Sequence, residues 1–391
     1  MNSTISSTTL LKDLHCSNCG SVYNPNKLQT FSECCNMPLV AYYSTTNNFD
    51  KKDLLGRENS FWRYREMLPI FHDENRVSLG EVMTPIVQWS NLASKYGIEN
   101  LVIKDEGINP TGSFKARGLG MAVSKAKELG VEFCVIPTAG NAGGAMSAYC
   151  AKASIKATVI MPRNTPRLFE EECELYGAEL ILFDGLLDEC GHYAAELAAK
   201  SGAFNMSTMK EPYRLEGKKT MGYEIAEQLN WELPDVIFYP TGGGTGLIGI
   251  WKAFQEMIEL GWISSDKLPK MIAVQTSICA PIYDLFTGNK NPEIYKMSIA
   301  NGLSVPKAFG MDMIIRVLKE SRGTVTTVSE ENILAGVEEI GRSEGMSIAP
   351  EGAALWEALK AMITSGVISR NEKVLLLNTG NGVKYMDNFK L

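Results

Sequence analysis

FCVIPTAGNAGGAMSAYCAKASIKATVIMP (residues 133–162) decides the fold. A short apolar run, FCVIPT, enters a Gly-rich turn. A stretch of small and apolar residues too long for one strand follows, AGGAMSAYCAKA, and then a second apolar run, ATVIMP. Strand, helix and strand in this order form a βαβ unit, whose two strands are parallel because a helix carries the chain back over the sheet. The same pattern recurs to either side. LVIKDE (101–106) precedes it, and AELILFD (178–184), DVIFYP (235–240), KMIAVQT (270–276), TVTTVS (324–329) and KVLLLNT (373–379) follow. Helical patterns such as SKAKELG, TPRLFEEECELYG and EIAEQLNWEL lie between them. Near-continuous apolar strands alternating with helices predict an α/β fold, mostly parallel, with helices on both faces.

Composition bounds the function. A chain of 391 residues predicts two domains and an appendage, and 45% apolar with 21% charged residues describes a globular protein. A net charge of −7 argues against nucleic acid as a partner. No apolar run approaches the roughly 18 residues of a membrane helix, so no membrane partner is expected. The Ser/Thr-rich MNSTISSTTLLKDL (1–14) reads as a disordered lead-in and not a signal peptide. Nine cysteines, several inside apolar helices (Cys134, Cys150, Cys173), fit a reducing cytoplasm better than a disulfide framework.

Ligands of open α/β sheets bind beyond the carboxyl ends of the strands. Four Gly-rich turns occupy that position: 104–118, VIPTAGNAGG (135–144), VIFYPTGGGTG (236–246) and VLLLNTGNG (374–382). One such turn means little, since glycine is common there for steric reasons; four together predict a shared ligand. In PTGGGTGLIG, Gly242, Gly243, Gly244, Thr245 and Gly246 leave backbone N–H groups unshielded at a helix N-terminus, which suits a phosphate. No GK[ST] follows and the spacing is not GxGxxG, so neither ATP nor a dinucleotide is expected, and a kinase is excluded. In KDEGINPTGSFKARG (104–118), Lys115 opens a helix just behind Phe114. A partly desolvated amine at the positive end of a helix has a depressed pKa and suits Schiff-base chemistry. A carbonyl cofactor bearing a phosphate satisfies both sites, and pyridoxal 5′-phosphate is such a molecule.

The form NPTGSFKARG resembles the lysine motif of the threonine synthases, within the fold-type-II pyridoxal phosphate enzymes. SLGEVMTPI (78–86), with Val82 where Gly is usual, PTAGNAGG, YRLEGKKT (213–220) and NTGNGVKY are similar to further family segments in the same order. The resemblance spans roughly residues 75–385. It implies two open, mostly parallel sheets with helices on both faces, as in tryptophan synthase β. It also implies a small α/β domain over 119–207, a large one over 46–118 and 208–391, and a homodimer. Lys115 would hold the cofactor and shuttle protons, beside Phe114. Asn141 would meet the ring's phenolic oxygen, the 242–246 loop the phosphate, and Thr379 the pyridine nitrogen. The backbone of Thr138, Ala139, Gly140, Asn141 and Ala142 would take the substrate's carboxylate. Lys104, Arg214 and Lys218 would meet a substrate phosphate, Arg214 as a bidentate clamp. The implied reaction turns O-phospho-L-homoserine and water into L-threonine and phosphate. PTGGGTG lacks the asparagines of many threonine synthases, and Ala142 and Gly143 stand where many have Ser or Thr. A β-elimination or β-replacement enzyme, such as a threonine or serine dehydratase or a cysteate-synthase-like enzyme, is therefore the second expectation. A catalytically idle relative is disfavoured because the lysine and the cofactor loops are intact.

The segment 1–45 carries a different constellation, HCSNCGSVYNP (15–25) and ECCNMPLVAYY (33–43). Cys16 and Cys19 have the C-x2-C spacing of a zinc knuckle, and the adjacent pair Cys34 and Cys35 is its available partner. Adjacent cysteines ligate one ion less comfortably than a second C-x2-C pair does, so two readings stand, a structural zinc on all four thiols or a ribbon without metal. Some threonine synthase relatives have a similar Cys-rich segment, which implies a retained or a degenerate ribbon. His15, His72 and His192 are scattered and read as structural.

Overall fold

The computed structural model describes residues 9–45, 49–289 and 295–389. All eight apolar runs named above form strands, at Asn100–Asp105, Phe133–Pro137, Lys156–Pro162, Glu179–Phe183, Val236–Pro240, Lys270–Thr276, Thr324–Val328 and Lys373–Asn378. They build two separate sheets, so the expected α/β fold with mostly parallel sheets is what the chain adopts. The chain divides into two compact units. The first comprises Met1–Met83, Lys115–Thr220 and Gln255–Trp262; the second comprises Thr84–Phe114, Met221–Phe254 and Ile263–Leu391.

In the first unit a four-stranded sheet runs Glu179–Phe183, Lys156–Pro162, Phe133–Pro137, Phe204–Asn205, with every pair parallel. The crossover helices are Asn141–Ala153, Arg167–Leu175 and Leu187–Ser201. Val135 and Ile160 on the strands pack against Cys190 and Ala194 of the last helix, all fully buried. All nine cysteines are free thiols. Two further helices, Lys115–Glu128 and the one beginning at Tyr213, approach so closely that a Cβ on Gly217 would stand 2.0 Å from the Arg117 carbonyl oxygen. Only glycine permits that crossing. The first described residues depart from the expected lead-in: Leu11–Cys16 is the central strand of a three-stranded antiparallel sheet with Val22–Tyr23 and Leu39–Tyr43. Leu11, Leu14 and Cys16 are buried there. Leu14 and Cys16 keep the period of two of a strand, and a register shift between Leu11 and Asp13 accounts for the three-residue step from Leu11 to Leu14. Residues 1–8 lie outside the described residues.

In the second unit a six-stranded sheet is ordered Thr324–Val328, Lys270–Thr276, Val236–Pro240, Lys373–Asn378, Asn100–Asp105, Ile86–Gln88. Only the short edge strand Ile86–Gln88 is antiparallel. Lys373–Asn378 sits at the centre, with Leu375 opposite Val102 on one side and Ile237 on the other. The strand is buried from Val374 to Asn378, as expected where helices cover both faces. Among the described residues no helix is long and apolar enough to cross a membrane.

Candidate active site

In the first unit, Lys115 is the first residue of its helix and is half-buried. Asn141 likewise opens the helix after the strand Phe133–Pro137. The turn between them is tied down locally. Thr138 N–H donates to the Ile160 carbonyl at 3.0 Å, and Gly140 N–H donates to Thr138 Oγ1 at 3.3 Å. Gly143 and Gly144 follow without side chains, and a Cβ on Gly143 would meet Met161 Cε at 2.7 Å. Thr138 to Ala142 thus form a tight turn into a helix N-terminus, where N–H groups lack intrahelical partners and favour an anion.

The helix from Tyr213 brings Arg214 and Lys218 beside this region of the same unit. Both are fully buried, as is Glu211 just before the helix. A Cβ on Gly118 would lie 3.0 Å from Lys218 Cε and 2.9 Å from the Arg214 carbonyl, so the helix carrying Lys115 rests directly on them. Arg214 Nη1 donates to the Met206 carbonyl at 2.6 Å. Its Nε and Nη2 are buried and have no hydrogen-bond partner among the described residues. These two nitrogens form one edge of the guanidinium, the fork that grips a carboxylate or phosphate by two parallel bonds. Burial holds the Lys218 ammonium well below its usual pKa, and the charges of Lys115 and Arg214 press it further down. Burial pushes the Glu211 carboxyl up to about 7, against the pull of Arg214 and Lys218. Lys115, Arg214 and Lys218 with one carboxyl make an electropositive cluster with an unspent fork.

In the second unit the loop Gly242–Gly246 leaves the strand Val236–Pro240 and enters the helix Thr245–Glu259. Gly244 has φ +72°, which a side chain rarely adopts. Neighbours also leave no room: Cβ atoms at positions 242 and 246 would lie 2.1 Å from the Gly302 carbonyl and 1.8 Å from Tyr239 Oη. The backbone is therefore bare where the helix presents its positive end, as a phosphate cradle requires. Phe114 N–H donates to the Thr379 carbonyl at 3.0 Å, and its ring meets Tyr239 edge-on at 6.3 Å. Thr379 is buried at the carboxyl end of the central strand. Tyr239 is buried, its hydroxyl has no partner among the described residues, and burial raises its pKa well above the usual value. Bare glycine backbone, a helix N-terminus, a buried threonine and a buried phenol fit the phosphate and ring of pyridoxal phosphate.

Lys104 is a correction to the sequence expectation. It points into the second unit, where its ammonium donates to the Thr84 carbonyl at 2.7 Å, Glu224 Oε2 at 2.6 Å and Gln228 Oε1 at 2.8 Å. An ammonium has three protons, and these acceptors use all of them. Lys218 is fully buried, as is the whole turn around it. Arg163 and Arg167 are surface residues paired with Asp184 and Glu171. Glu211, Tyr213 and Tyr239 were not singled out by sequence. The one available signal for Glu211 was its place three residues before Arg214 in KEPYRLEGKKT.

Comparison with known proteins agrees with this chemistry. A family profile described as "Pyridoxal-phosphate dependent enzyme" matches residues 77–380. A threonine synthase of Methanocaldococcus jannaschii is 33% identical over 384 residues, covering 95% of this chain and 93% of the relative. A threonine synthase of Mycobacterium bovis is 33% identical over 325 residues, covering 83% of this chain and 88% of the relative. Among solved structures, maize serine racemase superposes with a TM-score of 0.67 at 19% identity, covering 81% of this chain and 94% of that one. Threonine deaminase isoform 2 of Solanum lycopersicum gives 0.63 at 21% identity, covering 77% and 79%. These two likenesses speak for the fold, which is fold type II.

Proposed function

The chain belongs to the pyridoxal-phosphate dependent enzymes, and on that premise we propose that it is a threonine synthase converting O-phospho-L-homoserine and water to L-threonine and phosphate. The observation that carries the reading is the buried Arg214 edge, Nε and Nη2, which has no partner among the described residues. A buried guanidinium with an unspent fork implies a dianionic or carboxylate group in its ligand, because leaving such donors unpaired is costly. The name threonine synthase, shared by the curated relatives, supports threonine as the product.

When bound, the cofactor withdraws electrons from the substrate's α-carbon and so acidifies its Cα and Cβ protons. Lys115 would hold the cofactor and, once displaced by the substrate's amine, move these protons; one mobile amine can serve both carbons. Phe114 would shield that amine from water. Asn141 would donate to the ring's phenolic oxygen, the 242–246 loop would take the cofactor's phosphate, and Thr379 would face the ring nitrogen. Thr138, Ala139, Gly140, Asn141 and Ala142 would hold the substrate's carboxylate with backbone N–H groups. Arg214 and Lys218 would grip the γ-phosphate and stabilise it as it leaves. The Cγ–O bond to phosphate would break as the Cβ proton is taken, and Cγ would then receive a proton and become the methyl group. Water would add its oxygen at Cβ and give up a proton, and Cα would regain its own, leaving threonine and phosphate. Lys104 plays no part in this reading. The same proposal includes the division into 119–207 against 46–118 with 208–391, a homodimer and a cytoplasmic location. In support of the division, the four-stranded sheet lies wholly within 119–207 and the six-stranded sheet wholly outside it. The compact units differ from it in joining 46–83, 115–118, 208–220 and 255–262 to the unit of the four-stranded sheet.

The test is a spectral titration of the holoenzyme with O-phospho-L-homoserine, with free phosphate and threonine assayed in the same mixture. Equal amounts of phosphate and threonine are expected. An unchanged spectrum overturns the reading, and release of ammonia and a 2-oxo acid from L-threonine or L-serine would replace it with β-elimination.

A further inference from the structure

The first unit holds a second chemical cluster that the proposed reaction does not use. The Sγ atoms of Cys16, Cys19, Cys34 and Cys35 all lie within 4.8 Å of one another. A tetrahedral zinc tetrathiolate, with Zn–S near 2.3 Å, places its sulfurs about 3.8 Å apart. Cys19 and Cys34 already approach to 3.4 Å, so side-chain adjustment alone reaches the metal geometry.

The backbone around these thiols repeats after sixteen residues, CSNCGS (16–21) on SECCNM (32–37). Cys16 N–H donates to the Ser21 carbonyl at 2.9 Å, and Gly20 N–H donates to the Cys16 carbonyl at 3.0 Å. The second copy makes the same two bonds. Ser32 N–H donates to the Met37 carbonyl at 2.8 Å, and Asn36 N–H donates to the Ser32 carbonyl at 2.9 Å. Both turns close on a residue in the left-handed region, Gly20 at φ +74° and Asn36 at φ +52°. Asparagine is among the few residues that tolerate this conformation. Under this correspondence Cys19 matches Cys35, and Cys16 matches Ser32. Ser32 is fully buried and accepts a hydrogen bond from Cys16 Sγ at 3.2 Å, so it stands where a symmetric ribbon would place its fourth thiol.

We propose that Cys16, Cys19, Cys34 and Cys35 bind one zinc ion as a tetrathiolate, with Cys34 supplying the ligand that the second turn lacks at position 32. The adjacent pair Cys34 and Cys35 is thereby explained: one thiol belongs to the turn and the other replaces its missing partner. Binding releases the thiol protons to solvent. Outer-shell donors are in place, since Asn18 Nδ2 donates to Cys35 Sγ at 3.4 Å and Ser21 Oγ lies 3.1 Å from Cys19 Sγ. The three-stranded sheet these turns belong to is small, and a metal is one way such a piece is held together.

The test uses the full chain, produced in zinc-supplemented medium and purified without chelator. Elemental analysis should find one zinc per chain, and exchange with cobalt should give the d–d bands of a tetrathiolate. Cys34→Ala should weaken zinc by more than the roughly 10- to 100-fold that losing an outer-shell partner costs. The double variant Ser32→Cys with Cys34→Ala should recover the affinity, which separates loss of a ligand from misfolding. A protein that neither contains nor takes up zinc overturns the proposal. So does a Cys34→Ala variant with unchanged affinity and cobalt spectrum, or a Cys34–Cys35 disulfide in freshly purified protein.

Discussion

Arg214 concentrates the residue-scale argument, because a lysine keeps its charge and loses its fork. Arg214→Lys should raise KM for O-phospho-L-homoserine about 10- to 100-fold, the equivalent of roughly 1.5–3 kcal/mol for a lost charged hydrogen bond. Steady-state kinetics checks this, and the bound cofactor's spectrum should stay as in the parent protein. Glu211 gives a second prediction. Its carboxyl titrates at about 7 instead of the usual 4.5 because it is buried. Between those values the folded state holds a proton that the unfolded chain has lost, so this group's contribution falls as pH rises through the window. Lys218 has the opposite sign: its depressed pKa makes the fold gain as pH rises toward the usual lysine value. Glu211→Gln separates the two. Relative to the parent, the variant should gain on the order of 3 kcal/mol between pH 4.5 and 7 and level off above. Denaturant unfolding at several pH values measures the difference, and a constant gap would show that Glu211 is ionised throughout.

At the scale of elements, the helix Tyr213–Gln228 shows where the sequence stopped being legible. Arg214, Glu216, Lys218, Lys219 and Glu224 put five charges on this helix, yet residues 211–226 are all buried. Periodicity reports which side of a helix meets water, and this helix meets water on neither side. Its charges are matched by partners one turn away and by distant ones. Lys219 pairs with Glu216 at 2.6 Å and Glu256 at 3.0 Å, and Tyr43 Oη donates to Glu216 at 2.9 Å. Most strands were legible because they are apolar runs buried on both faces, whereas Glu179–Phe183 and Thr324–Val328 are only partly buried and were legible from their aliphatic and β-branched residues. The glycine loops were legible because their backbone must stay bare. Lys104 was misplaced for the same reason as the helix: its partner Glu224 lies 120 residues away. Lys104→Met should therefore cost about 3–5 kcal/mol, since it leaves Glu224 buried without its counter-charge. Adding Glu224→Leu should recover most of that loss, with KM unchanged in the double variant. Gly217→Ala should cost about 1–3 kcal/mol or more, because its Cβ meets the backbone of Arg117 and not a side chain that can yield. Thermal unfolding of the three variants compares them on one scale.

On the scale of the molecule, strand identity was readable and strand order was not. Nothing in KVLLLNT announces that the last strand of the chain occupies the middle of its sheet. That place follows from pairing: Lys373–Asn378 lies between Asn100–Asp105 and Val236–Pro240, both made far earlier. Six consecutive pairs, Lys373↔Asn100 through Asn378↔Asp105, join residues 273 apart. Until the last strand is present, Asn100–Asp105 has only the three-residue partner Ile86–Gln88, and Val236–Pro240 keeps an open edge. A long unpaired edge of apolar strand is an aggregation hazard, and pairing over such a separation makes folding slow. A chain ending at Asn371 should therefore lose the second unit as a whole and not merely its terminus. The expected product is insoluble, or soluble without near-ultraviolet circular dichroism and without bound cofactor, since Thr379 and the turn at Gly380 go with the strand. Supplying residues 372–391 as a separate peptide should restore little, because the strand must enter between two others and not add to an edge. A truncated chain that keeps near-ultraviolet signal and a cooperative unfolding transition would mean that the sheet tolerates a gap at its centre, against the pairing that holds it.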